Sequence, residues 1–154
     1  MKLLLLCFLL NPLVFRYVIV VEKQGQVIFK KVLQDDKFRI VFVHSVEKTL
    51  VEECFRVEPD GSMVLYETRY SSYGAGLPSD AEGGFALENG RFVLKLERKF
   101  ERITLRVSHI DGHGIVFSDG TIWFKDIANV NDPLTIYVKR QRSFEEKSFE
   151  EESP

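Results

Sequence analysis

Leu50-Val51-Glu52-Glu53-Cys54-Phe55-Arg56-Val57-Glu58, then Pro59-Asp60-Gly61, then Met63-Val64-Leu65-Tyr66-Glu67-Thr68-Arg69-Tyr70 is the stretch that decides the fold. It is two strand-like runs around a turn: Pro59 sets φ near the turn value and Gly61 accepts φ > 0. The same grammar repeats outward. Upstream, Phe38–Ser45 is apolar at nearly every position, which suits a strand covered on both faces. Tyr17–Glu22 and Gln26–Leu33 flank a hairpin signal at Lys23-Gln24-Gly25. Downstream, Phe85–Glu88 and Arg91–Leu96 flank Asn89-Gly90, the strongest two-residue hairpin signal. Ile103, Leu105 and Val107 alternate with Arg102, Thr104 and Arg106, giving a strand with one wet face. Ile115–Phe117 and Thr121–Phe124 flank Asp119-Gly120, and Leu134–Lys139 forms a last strand. No long helical stripe interrupts this period of two. About ten short strands at a spacing of roughly 8–12 residues predict an all-β chain, a single antiparallel β-sandwich or barrel-like domain.

Composition agrees with one folded domain. The 154 residues are 45% apolar and 29% charged, and thirteen Phe supply a sizeable core. A net charge of −2 argues against attachment to nucleic acid by bulk charge. Two cysteines cannot make a disulfide-dense scaffold. Cys54, in Glu-Glu-Cys-Phe-Arg-Val, reads as a small residue packed in a strand.

The two ends differ from the body. Lys2 precedes an apolar run over Leu3–Leu10, the beginning of a secretory signal. The run is short for a spanning helix, Pro12 would kink it, and no small-x-small cleavage site follows. Residues 1–16 are therefore expected to be a signal peptide or membrane anchor, 17–140 a β domain, and 141–154 an acidic, flexible tail in which Ser-Phe-Glu-Glu occurs twice. The expected location is extracytoplasmic, periplasmic or at the cell surface, membrane-associated through the N-terminus or secreted.

Two segments carry candidate chemistry. In the first, an apolar strand ends in His44-Ser45, followed by Glu47 and, further on, Glu53. Polar groups at the end of a buried strand are held rigidly at a surface, where binding residues tend to sit. The second is Tyr70-Ser71-Ser72-Tyr73-Gly74-Ala75-Gly76-Leu77-Pro78. Gly74 and Gly76 would let backbone amides approach a carboxylate or phosphate in a concave nest. Tyr73 would supply a flat amphipathic wall, Ser72 a hydroxyl, and Arg69 a bidentate partner for an anion unless it pairs with Glu53 or Glu67 across the hairpin.

The combination His44-Ser45-Val46-Glu47, Val51-Glu52-Glu53 and Tyr70 to Pro78 closely resembles the family catalogued as domain of unknown function 1850, over about residues 27–110. The resemblance implies a small exported or membrane-anchored prokaryotic protein, often encoded beside TAXI-type TRAP transporters, whose binding proteins capture organic anions. It carries no family activity or catalytic residue. The expected function is an extracytoplasmic accessory or binding module associated with a TRAP-type solute transporter. It would bind a transporter subunit or a small organic anion through His44, Ser45, Glu47, Glu53, Arg69, Ser72, Tyr73, Gly74 and Gly76. The alternative is a small hydrolase or metal-dependent enzyme centred on His44, with Glu47 or Glu53 orienting it and Ser45 or Ser72 as nucleophile. No Gly-x-Ser-x-Gly elbow and no HExxH helix is present, and His109-x-x-x-His113 reads as a strand end and hairpin turn, so neither a catalytic residue nor a metal or cofactor is assigned.

Overall fold

A computed structural model describes residues 13–71 and 84–144. Residues 1–12, the Ser72–Pro78 stretch and the acidic tail from 145 onward lie outside the described residues. In chain order the elements are β1 (Leu13–Lys23), β2 (Gln26–Val32), β3 (Lys37–Val43), β4 (Leu50–Val57), β5 (Met63–Tyr70), β6 (Phe85–Glu88), β7 (Arg91–Phe100), β8 (Ile103–Arg106), β9 (Gly114–Phe117), β10 (Gly120–Trp123), α1 (Phe124–Ile127) and β11 (Pro133–Phe144).

The strands form two antiparallel sheets. One has four strands in the order β2-β1-β11-β8, the other seven in the order β10-β9-β3-β4-β5-β7-β6. The turns form where the sequence carries turn chemistry. Asn89 and Gly90 take φ of 51° and 75°, the pair of positive values a two-residue hairpin loop requires. The two sheets share one core, with Ile19, Val21, Leu134 and Ile136 from the smaller sheet and Phe38, Ile40, Phe55 and Met63 from the larger. Full burial of each such side chain is worth about 1.5–3 kcal/mol.

Three details differ from the sequence reading. β1 begins at Leu13, before the strand expected from Tyr17, and β11 runs to Phe144, past the expected end at Lys139, and residues 13–16 pair with residues 141–144. Phe124 does not end a strand but opens α1 and is fully buried, its ring against the His113 imidazole. β7 continues past Leu96 to Phe100, alongside Met63 at the start of β5.

Register decides what faces the core. On β4, Val51, Glu53, Phe55 and Val57 share one face, and β3 sets Phe42, Ile40 and Phe38 opposite Val51, Glu53 and Phe55. Glu52, Cys54 and Arg56 take the other face. There Glu52 binds Arg39 at 3.1 Å and Arg91 at 2.8 Å, and Glu67 is held by Arg69 and Lys95. The pairing of β4 with β5 shifts after Cys54, leaving Tyr66 as an extra residue and making a β-bulge.

A candidate ligand cleft between the sheets

Glu53 breaks the pattern of its strand face. Its neighbours two residues away, Val51 and Phe55, are 1% and 2% exposed, and its cross-strand partners are Ile40 and the buried Thr68. Among the described residues no hydrogen bond or ion pair engages its carboxyl. Burial raises its pKa above the ordinary carboxylate value.

The space in front of Glu53 is a cavity of about 420 Å³ between the larger sheet and β8, the edge strand of the smaller one. Its apolar walls are Ile40, Phe42, Phe55 and Phe100 on one side and Ile103 and Leu105 on the other. Its polar lining is Glu53, Thr104, Ser108 and His113. The Tyr66 bulge directly follows Leu65, another lining residue, and bulges often sit beside such sites because they re-aim side chains.

His113 is set by the loop between β8 and β9. The Ser108 backbone N–H donates to its Nδ1 at 3.0 Å, and Ser108 Oγ accepts the Ile110 N–H at 3.0 Å. Because Nδ1 is an acceptor, the proton of the neutral ring is on Nε2. The imidazole lies edge-on to Phe124 at 4.7 Å and to Phe42 at 6.1 Å. Burial pushes its pKa down to about 4, so the ring is neutral at physiological pH. The cleft thus presents one acid, one neutral imidazole and two hydroxyl-bearing residues in an apolar frame.

The residues singled out in the sequence do not all gather here. His44, Ser45 and Glu47 form the tight turn joining β3 to β4. The Glu47 N–H donates to His44 Nδ1 at 3.2 Å, the His44 N–H to the Thr49 carbonyl at 2.9 Å, and the Lys48 N–H to the His44 carbonyl at 2.9 Å. That ring nitrogen closes a turn and is not oriented by a carboxylate. Glu53 stands opposite Ile40, four residues before His44, or about 13 Å along the strand. Arg69 lies on the opposite sheet face from Glu53 and binds Glu67, the second of the two pairings open to it. Ser72, Tyr73, Gly74 and Gly76 lie outside the described residues, but the pairing of Val51 with Tyr70 brings Ser71 to the end of the sheet that carries the His44 turn. Among the described residues no three His, Cys, Asp or Glu side chains converge as a metal-binding set.

His113, Ser108 and Thr104 were not read as site residues. The signal for the cleft was in β4: an acid in phase with Val51, Phe55 and Val57 is a charge on the core face. The signal for His113 was weaker, since its partner is a backbone amide five residues away.

The architecture defines an all-β protein of two antiparallel sheets. The chain belongs to the family described as Domain of unknown function (DUF1850), whose model matches residues 38–124. The matched span contains His44–Glu47, Gly74–Pro78 and every residue that lines the cleft. No curated protein and no solved structure gives a significant match.

Proposed function

We propose that the chain is a ligand-binding module whose ligand occupies the cleft between the sheets, and that it serves outside the cytoplasm as an accessory to a TRAP-type solute transporter. The observation that carries the binding role is Glu53, an acid without a partner among the described residues, facing a cavity of about 420 Å³ lined mainly by apolar side chains. Glu53 is partly buried, and the desolvation that raises its pKa is a cost that an aliphatic residue in phase with Val51 and Phe55 would not carry. Proteins keep such costs where they bind or react. The size lies within the range of about 300–1,000 Å³ usual for small-molecule sites.

The location and the transporter rest on other support, namely the apolar stretch after Lys2 and the company that the family resemblance implies. A small organic anion remains the proposed ligand of the His44-Ser45 strand end and the Gly74-Pro78 loop. It does not complement the cleft, where Glu53 supplies the formal charge. No observation favours the enzyme reading, because His44 Nδ1 is taken by the Glu47 amide.

The test of the cleft is fluorescence titration with Nile red, a neutral apolar dye, on the wild type and on Leu105→Trp, which fills the cavity. Saturable one-to-one binding that Leu105→Trp abolishes supports the reading. Equal binding by both, or no binding by the wild type, overturns it. Co-purification of the full chain with the membrane subunits of a TRAP transporter tests the accessory role, and their absence from the purified material counts against it.

A further inference from the structure

Taking the cleft as a ligand site, we infer that it recognises an organic amine in its ammonium form, attached to a compact apolar body such as one aromatic ring. The argument is charge complementarity. Glu53 is the one lining residue with a formal charge at neutral pH among the described residues, and no Lys or Arg lines the cavity. The basic side chains on the strands around it are committed to the opposite sheet face, Arg39 to Glu52 and Arg69 and Lys95 to Glu67, and Arg56, three residues along β4, is paired with Glu58 and Glu97. A carboxylate or phosphate in the cleft would therefore meet the Glu53 carboxylate with no cation to offset the repulsion. An ammonium would give Glu53 the partner it lacks in this structure, in a setting where a charge-assisted hydrogen bond is strengthened by the surrounding apolar groups.

The walls suit the rest of such a molecule. Phe42, Phe55 and Phe100 present aromatic surface that attracts a cation through the ring face and packs an apolar body equally well. His113, neutral with its proton on Nε2, adds no positive charge. Ser108 supplies a hydroxyl able to accept one of the remaining ammonium protons. In two other cavities the acid is already paired, Asp60 with Lys99 at 2.7 Å and Asp119 with Lys31 at 2.8 Å.

The experiment is isothermal titration of the full chain at neutral pH with three probes of matched size: 2-phenylethylammonium, 2-phenylethanol and 3-phenylpropionate. Each is run on wild type, Glu53→Gln and Leu105→Trp. The ammonium is expected to bind about tenfold or more tighter than the alcohol, and the carboxylate weakest. Glu53→Gln should remove the advantage of the ammonium while leaving the alcohol unchanged, and Leu105→Trp should weaken all three. If the alcohol binds as tightly as the ammonium and Glu53→Gln changes neither, the amine inference is overturned while the cleft still stands as an apolar binding site. Tightest binding of the carboxylate overturns the inference as well. Absence of binding by every probe overturns the inference together with the reading of the cleft. The comparison of probes on the wild type decides the matter even if a variant fails to fold.

Discussion

Replacing His113 with Asn removes a titrating group from the core while keeping an oxygen able to accept the Ser108 amide. His113 is 9% exposed, and burial lowers its pKa from 6.5 to about 4. The unfolded chain then binds a proton between those values and the folded chain does not. Stability must therefore fall as pH drops from above 6.5 toward 4. At about 1.4 kcal/mol per pH unit, the wild type should have lost about 2.5 kcal/mol through this residue at pH 4.5. Urea unfolding of both proteins at pH 7.5 and pH 4.5 measures it. The variant carries a fixed deficit of about 1–3 kcal/mol from the space left against Phe42 and Phe124, which is the same at both pH values and cancels in the difference. Other groups that titrate in this range, Glu53 and the paired carboxylates among them, are common to both proteins and cancel likewise. The wild type should lose about 2.5 kcal/mol more than His113→Asn on acidification. Parallel losses would refute the placement of a neutral, desolvated imidazole beside the cleft.

Glu53→Leu should raise stability at pH 7.5 by about 1 kcal/mol, read from the urea midpoint. Its raised pKa means that the folded state favours the protonated acid, so stability is full below the unfolded value and is lost as pH rises through the folded one. Glu67→Gln should cost about 2–3 kcal/mol in the same assay. Burial works against the Glu67 charge, but hydrogen bonds from Lys95 and Arg69 outweigh it and hold the carboxyl below its ordinary value, so the amide leaves both cations short of a counter-charge. Gly114→Ala should lower the melting temperature by about 5 °C or more, because a Cβ there would lie 2.3 Å from the Ile122 carbonyl oxygen and force the β9–β10 backbone apart. Cys54 should resist alkylation in the native protein and react on unfolding, since its thiol is 2% exposed and burial, with Glu67, pushes its pKa up to about 11.

Local chemistry made most of the strands legible. Asn89-Gly90 and Pro59-Asp60-Gly61 mark chain reversals through backbone geometry that few other residues adopt, and the strands on either side follow within a residue or two. The alternation from Arg102 to Val107 identified β8 in the same way. Pairing between distant segments leaves no such local mark. β1 and β11 join across more than a hundred residues, and only that pairing shows that Leu13 to Arg16 belong to a strand. Phe124 looked like the end of a strand because an apolar residue after Trp123 fits that period, and tertiary packing made it the start of a helical turn.

The site was legible in part for the same reason. Glu53 stands out in the sequence as an acid shortly after a polar turn, a binding residue in the leading reading and, with Glu47, a candidate orienter of His44 in the alternative. Its phase with Val51 and Phe55 pointed instead to the core face, and the structure follows the phase. His113 enters through a hydrogen bond from Ser108 and through the rings of Phe42 and Phe124, which come from three separate places in the chain. The ion pairs on the opposite face depend on β4, β5 and β7 lying side by side, which fixes Arg69 on Glu67 and takes it out of reach of the cleft.

The most direct test of the cleft as the binding site is an amide chemical-shift titration of the isotopically labelled protein with 2-phenylethylammonium. The expected result is saturable shifts concentrated on residues 40–43, 53–55, 103–108 and 113, from strands that meet only around the cavity. Shifts confined to the His44 turn or to the outer ion-paired face, with residues 53–55 and 113 unmoved, would contradict it.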